Sequence, residues 1–513
     1  MDLNFRKIFN VIGFLLILQS GLFLLPILTG LYYGEMQHCL AFAETALGCL
    51  GAGAALYVMI KPQSDTLKIR DGFFIASLSW ILLSLIGALP FWLDGCIPSF
   101  TDAFFETSSG LTTTGSTILP DVTALPRCML FWRSFTHWVG GMGILVFVMA
   151  IIPLASGGSA MYLMKAESPG PSVKKMVPKA SQTAGLLYKM YIFLTVLQLL
   201  FLVLGRMPLF DALCITFGTA GTGGFSVLNS GCATYTIFQQ VVITVFMILF
   251  GTNFSVFYLI MMGRIREVPK VSEAMTYYGI IGAAVALITV NIRGSYTSIG
   301  LAIKDAAFQV GSIITTTGFS TTDFNIWPAF SKWILILLMF VGACAGSTGG
   351  GIKVSRIQVV FKAIMKELDS VIHPNDVRKI RYDGKVLDHA VLRGINVFIT
   401  AYFVVFGLSV LLVSVDNFGL ETNFSAVAAT LNNIGPGLGG VGPASNFSGY
   451  GAFSTCVLIF DMIAGRLEIL PVLILLSPHT WAEGSVLRGK HVRRSREAEN
   501  DLMMSGSLEM ELG

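Results

Sequence analysis

Four short stretches of this chain combine hydroxyl side chains with glycine in a pattern suited to holding a dehydrated cation. They read Thr112-Thr113-Thr114-Gly115-Ser116, Gly221-Thr222-Gly223-Gly224-Phe225-Ser226, Thr315-Thr316-Thr317-Gly318-Phe319-Ser320 and Asn432-Asn433-Ile434-Gly435-Pro436-Gly437. Glycine adopts positive φ without steric cost, so consecutive main-chain carbonyls can be turned to one side, where their oxygens replace a cation's water shell. Any one such stretch also serves close helix packing in a bundle. Four related stretches at matched positions favour the cation.

The match extends upstream. Asp102-Ala103, Asp211-Ala212 and Asp305-Ala306 each precede the glycine of their stretch, Gly115, Gly224 and Gly318, by thirteen residues. Thr422-Asn423 occupy that offset before Gly435, so the fourth copy is recognised by hydropathy order. One register in three copies, about a hundred residues apart, implies an internal repeat. An acid at the start of a helix is ordinary N-terminal stabilisation; a cation-attracting outer ring is the second reading of the three aspartates.

Such backbone must be positioned by a membrane. Of 513 residues 54% are hydrophobic and 12% charged, and the mean hydropathy is +0.72, which excludes an ordinary soluble domain. A net charge of +4 gives no surface for nucleic acid. The eight cysteines form no C-x-x-C pair, which argues against zinc and redox motifs and leaves them as packing residues. Ten stretches are long and apolar enough to span: 8–31, 40–60, 72–93, 129–154, 186–205, 236–262, 276–292, 332–361, 391–415 and 453–476. The first is too long for a cleaved signal and reads as a retained helix. With the N-terminus cytosolic, most of the 34 Lys and Arg residues fall inside, as the positive-inside rule demands. All four semi-polar stretches then enter from the outer face. Irregular backbone survives at membrane depth only when buried in protein or lining water, and four stretches facing one axis meet that condition. The apolar half-helix before each would aim its partial negative end inward, which again suits a cation.

Two further features lie beneath these stretches. The span beginning near Trp333 runs into Gly342-Ala343-Cys344-Ala345-Gly346-Ser347-Thr348-Gly349-Gly350-Gly351-Ile352-Lys353, and five glycines in ten residues should break the helix. A broken helix here suits a gate that crosses the ion path; a tight helix crossing is the competing reading. A phosphate loop is excluded by Ile352, which stands where that motif needs lysine. Arg466 sits mid-span, where an unpaired charge costs at least ~2.5 kcal/mol. It is either ion-paired, with Glu468 or an acid on another helix, or it faces a cavity under the glycines and repels cations. His137, His373, His389 and His479 share no spacing and receive no ligand role. The basic stretch Arg488 to Arg496 reads as a cytosolic anchor at anionic lipid, and Ser505 to Gly513 as a mobile tail.

On these motifs, together with Gly342 to Lys353, Asn432 to Gly439 and Gly465-Arg466-Leu467-Glu468, the chain resembles the Trk/Ktr/HKT superfamily of K⁺ transporters, and within it the Trk-type membrane subunits. The resemblance implies an all-α polytopic membrane protein: four M1-P-M2 repeats, like those of a K⁺ channel, in one chain around a pore, plus an extra N-terminal helix pair. The corresponding divisions are residues 1–70 for that pair, 71–180, 181–270, 271–385 with the gating loop, and 386–490 for the four repeats, and 491–513 for a tail. It also implies a K⁺ filter at Thr113, Thr114 and Gly115; Thr222, Gly223 and Gly224; Thr316, Thr317 and Gly318; and Asn433, Ile434 and Gly435. Gly115, where Na⁺-preferring members often carry Ser, supports K⁺. Gly223, where copies one and three carry Thr, predicts a loosened wall.

The implied gate is Gly346, Ser347, Thr348, Gly349, Gly350, Gly351 and Arg466. Implied partners are a second copy of the chain, membrane lipid, and a cytosolic nucleotide-binding TrkA-type regulatory ring. The loops around 160–185 and 362–385 are candidate docking surfaces for that ring. The expected role is K⁺ uptake across a bacterial inner membrane, with both termini cytosolic and no organic cofactor. The competing class is an alternating-access carrier coupling K⁺ to H⁺ or Na⁺, whose repeats are commonly inverted. An enzyme is not expected, because no Ser-His-Asp set, metal triad or cofactor fingerprint appears.

Overall fold

The long membrane-spanning helices of this chain are apolar around most of their circumference, so tertiary packing and lipid, not one wet face and one dry face, decide their arrangement. A computed structural model describes residues 4–61, 69–143, 180–373 and 379–478. Among these are eighteen α-helices and one two-stranded antiparallel ribbon, Arg381–Tyr382 with Lys385–Val386. The inner half of the expected span 129–154, most of loop 160–185, His479, the basic stretch at 488–496 and the tail lie outside the described residues.

The chain opens with α1 (Phe5–Leu22), α2 (Leu24–Tyr33) and α3 (Met36–Met59). Gly34, at φ 77°, turns the chain between α2 and α3. Helices α1 and α3 cross where glycine meets glycine: a Cβ on Gly53 would lie 2.8 Å from the Gly13 carbonyl oxygen and 2.9 Å from Ile17 N. Trp132 then locks the pair to the body, packing on Phe23 with ring centroids 4.7 Å apart and donating Nε1 to Gly87 O at 3.1 Å.

A pattern of long helix, short helix and second helix follows four times. The first set is α4 (Ile69–Leu93), α5 (Phe100–Leu111) and α6 (Arg127–Gly141). The second is α7 (Ala180–Leu204), α8 (Leu209–Gly221), α9 (Ile237–Phe250) and α10 (Phe254–Met261). The third comprises α11 (Ser272–Ile292), α12 (Ile299–Ile314), α13 (Ala329–Val341) and α14 (Val354–Ile372). The fourth comprises α15 (His389–Val413), α16 (Leu420–Leu431), α17 (Ala452–Arg466) and α18 (Leu470–Leu476).

Among the described residues six helical stretches are long and apolar enough to cross a membrane, and α9 with α10 makes a seventh if the bent pair is one span. Two of the ten expected spans are interrupted where the sequence predicts no break. Residues 236–262 bend by 93° at Gly251-Thr252-Asn253, where the Asn253 side chain accepts from Ser255 N at 2.9 Å and starts a new helix. Residues 453–476 break after Arg466, with Glu468 and Ile469 both at positive φ. Residues 332–361 break at the glycine-rich segment, as expected. Hydropathy averaged through the first two interruptions because apolar residues continue on both sides.

Since the Gly13–Gly53 crossing is lined by main-chain atoms that cannot step aside, Gly53→Val should destabilise the protein by about 2 kcal/mol. Thermal unfolding in detergent checks this, and an unchanged midpoint would show that the helix pair can spread without cost.

Candidate functional site

Each short helix delivers its chain to one of the four stretches, which directly follow α5, α8, α12 and α16. In all four, the backbone takes the same unusual path. Thr113, Thr222, Thr316 and Asn433 have φ between 55° and 59°, and two residues later Gly115, Gly224, Gly318 and Gly435 have φ of 81°, 79°, 85° and 104°. Positive φ is rare for residues with a side chain, so its fourfold recurrence marks one shared conformation held by its surroundings.

The stretches also close on one another. A Cβ on Gly115 would lie 1.8 Å from the Gly223 carbonyl oxygen; on Gly224, 2.0 Å from Thr317 O; on Gly318, 1.9 Å from Ile434 O; on Gly435, 2.8 Å from Thr114 O. Each glycine thus receives the carbonyl preceding the next glycine, and the fourth returns to the first. The twelve residues expected to form the filter are brought together in this cycle. Glycine is required at each corner twice over, by φ and by the carbonyl seated on it. Above the cycle opens a cavity of about 160 Å³ lined by all four glycines together with Ser116, Phe225, Phe319 and Pro436.

Side chains brace the stretches from behind. Thr112 and Thr114 share a hydroxyl hydrogen bond of 2.8 Å, and Thr315 and Thr317 one of 2.7 Å. Asn433 Nδ2 donates to Thr114 Oγ1 at 2.9 Å and Ser116 Oγ to Gly435 O at 2.9 Å, joining the fourth stretch to the first. The expectation of a loose wall at Gly223 is corrected: the His137 imidazole fills the space a side chain there would take, with Nδ1 2.2 Å from the position of a Gly223 Cβ.

Arg133 and Glu106 tie the first and second stretches. Glu106 accepts from Arg133 Nε at 2.5 Å, Ile118 N at 2.9 Å and Thr117 Oγ1, while Arg133 donates to Ser226 O at 2.8 Å and lies over the Phe225 ring. Outside the membrane region, Asn229 donates to Asp121 at 2.7 Å and accepts from Val122 N. Hydrogen bonds from Thr123 and then Asn229 hold Asp121 below the usual carboxylate range.

The acids at the start of the short helices divide. Asp102 and Asp211 lie in the first turn of α5 and α8, as helix stabilisation requires. Asp305 does not: it lies two turns into α12, paired with Lys304 at 2.8 Å and accepting from Thr321 at 3.1 Å.

Beneath the cycle the glycine-rich segment is seated directly on the stretches. Gly350 N donates to Thr316 Oγ1 at 2.6 Å. A Cβ on Gly349 would lie 2.7 Å from Thr315 O, and one on Gly350 2.4 Å from Asn432 O. Lys353, buried and at φ 85°, donates to Gly349 O. Glu273, at the start of α11 and 2% exposed, is the anchor: it accepts from Ala345 N at 2.6 Å, Ser355 N at 3.1 Å and Asn253 Nδ2 at 3.0 Å. Three separate chain segments hang from that one carboxylate.

Arg466 reaches into the same place. It donates to Thr113 Oγ1 at 3.2 Å, Thr348 O at 2.9 Å, Gly140 O at 2.5 Å and Gly141 O at 2.7 Å. Glu468, one of the acids expected as a partner for Arg466, is engaged by Arg356. A cavity of about 80 Å³ below is lined by Arg466, Gly346, Ser347, Gly349, Gly350 and Gly351, among others.

A family model described as "TrkH: Cation transport protein" matches residues 38–292 and 280–482, spanning most of the chain. The chain belongs to this TrkH family. It is 38% identical over 492 residues to the Trk system potassium uptake protein TrkH of Salmonella typhimurium and to that of Escherichia coli K12, covering 94% of this chain and all of each relative. The fold matches the crystal structure of the potassium transporter TrkH from Vibrio parahaemolyticus with a TM-score of 0.84 at 36% identity, over 93% of this chain and 100% of that one. The chain is thus a helical, multi-pass membrane protein of a cation-transport family.

Sequence reasoning missed His137, Glu106, Arg133, Asn253, Glu273 and Lys353. The available signal was their presence as polar residues in apolar stretches of sequence, where a buried ionisable group, as all but Asn253 are, is a functional candidate by default. Removing the Glu273 charge should release the glycine-rich segment. Glu273→Gln turns one acceptor oxygen into a donor facing N–H groups, so cysteine labelling of a Ser347→Cys probe should become faster. Equal labelling rates in both backgrounds would show that Glu273 is not the anchor.

Proposed function

We propose that this chain takes up K⁺ through the cycle of four glycine stretches. The supporting observation is closure: four chain segments, separated by about a hundred residues each, bring the carbonyls of Thr114, Gly223, Thr317 and Ile434 around one centre. Preorganised carbonyls replace the hydration shell of a cation, and their spacing and stiffness set which cation is accepted. K⁺ is the cargo named for the Trk relatives. The filter comprises Thr113, Thr114 and Gly115 with the three matching triplets, and the four sets of helices serve as M1-P-M2 repeats behind an extra N-terminal pair.

The segment Gly346 to Gly351 acts as the gate. It touches the filter backbone from below, and glycine lets it move without clashing. Arg466 stands at the same level and places positive charge in the path, raising the barrier to leakage. The charge pattern of the loops supports a filter on the outer face with both termini cytosolic, in the bacterial inner membrane that the family resemblance implies. Assembly as a homodimer, and docking of a nucleotide-binding TrkA-type ring on the cytosolic loops around 160–185 and 362–385, complete the reading.

The test is flux of Rb⁺ and Na⁺ into liposomes carrying the purified protein, with and without an imposed pH gradient. Selective Rb⁺ entry, abolished by Gly115→Ala, is expected; absence of Rb⁺ entry under every condition would overturn the assignment. Arg466→Ala should raise Rb⁺ flux about tenfold, the effect of removing ~1.4 kcal/mol of repulsion. A properly folded Arg466→Ala protein with unaltered flux would remove the arginine from the gate.

A further inference from the structure

The four stretches are braced unequally by their own side chains. The first and third carry threonines at the position before the glycine and two residues earlier, and those hydroxyls bond one another. The fourth carries Ile434 and Asn432, with Asn432 Oδ1 accepting from Tyr402 Oη at 2.9 Å. The second has Gly223 and Gly221 at these positions and so supplies no side chain of its own. Left open, that space would allow one wall of the cycle to relax.

It is filled from α6. A Cβ on Gly221 would lie 2.1 Å from the His137 carbonyl oxygen, and one on Gly223 would lie 2.2, 2.3 and 2.5 Å from Nδ1, Cγ and Cε1 of the His137 ring. Thus Gly221 receives the main chain of His137 and Gly223 its imidazole. The ring is fully buried and lies against Phe225, with centroids 4.2 Å apart. Its two nitrogens have fixed roles. Nδ1 faces Gly110 O at 2.8 Å, and a carbonyl only accepts, so Nδ1 carries the hydrogen; Nε2 then accepts from Phe225 N at 3.2 Å. One ring therefore pins the residue after the second filter glycine to the end of the first short helix.

We propose that His137 is a positioning residue for ion selectivity, a transplanted side chain that holds the second stretch at the spacing K⁺ needs. This rests on reading the cycle as a K⁺ filter. Without the ring, the stretch is free to close on a smaller ion, so the loss appears in discrimination before it appears in flux.

The experiment compares wild type, His137→Ala, His137→Gln and Phe225→Pro in liposomes, measuring Rb⁺ and Na⁺ entry separately. Proline already occupies the matching place in the fourth stretch, as Pro436, so Phe225→Pro deletes the donated N–H with a residue the cycle accommodates elsewhere. His137→Ala, which removes both ring hydrogen bonds, and Phe225→Pro, which removes the donated N–H and the ring packed on His137 and Arg133, should each lower the Rb⁺/Na⁺ ratio at least about fivefold, the worth of one buried hydrogen bond. His137→Gln, able to donate and accept along similar directions, should recover most of it. Should His137→Ala fail to fold, Phe225→Pro carries the test alone. A selective wild type with both variants equally selective would overturn this inference and leave the filter standing; a wild type that does not distinguish Rb⁺ from Na⁺ would instead sink the filter reading beneath it.

Discussion

The structure depends on one steric condition: a carbonyl oxygen must rest where a glycine has no side chain, four times in succession. Each carbonyl is presented by the residue before the next glycine, so the condition is circular and no stretch can satisfy it alone. Left-handed conformations at Thr113, Thr222, Thr316 and Asn433 cost of order 1 kcal/mol or more each and persist because the surroundings over-determine them. The short helices, the hydroxyl pairs and the arginine–glutamate tie between the first two stretches all serve that purpose.

The same requirement explains why the second helices do not run straight through. A continuous helix below the cycle would present side chains where backbone must approach backbone. Instead α6 brings Gly140 against the Leu111 carbonyl and Gly141 against Gly221, α17 brings Gly465 against the Leu431 carbonyl, and α9 stops at Gly251 beside Thr315. Glycine at these points permits the approach and weakens the helix at the same place. Freed backbone groups are then recovered by buried polar side chains: Glu273 on the N–H groups of Ala345 and Ser355, Asn253 on that of Ser255, and Arg466 on the carbonyls of Gly140, Gly141 and Thr348. In a medium that offers no hydrogen bonds, such groups are structural necessities before they are regulatory devices.

Much of this was legible in the sequence, for a physical reason. Glycines fixed by close backbone approach leave a register, and Gly115, Gly224 and Gly318 stand at equal distances from Asp102, Asp211 and Asp305. The break after Val341 was visible because glycine is dense there, and Arg466 because a charge mid-span must find partners. The breaks at 251–253 and 467–469 were hidden, since one or two polar residues do not disturb an apolar average. The role of His137 is not legible in the sequence because its partners, Gly110 and Phe225, lie 27 and 88 residues away, and no local pattern encodes a side chain borrowed by another repeat. The third aspartate misled for the opposite reason: Asp305 keeps the register of its counterparts, but α12 begins earlier, so the same position no longer falls in the first turn.

The most direct test of the central claim is to locate the ion. Crystals grown with Rb⁺ or Tl⁺ should show anomalous density on the axis of the cycle, within coordinating distance of the carbonyls of Thr114, Gly223, Thr317 and Ile434. Density confined to other sites, with the centre of the cycle empty at saturating ion, would contradict the account.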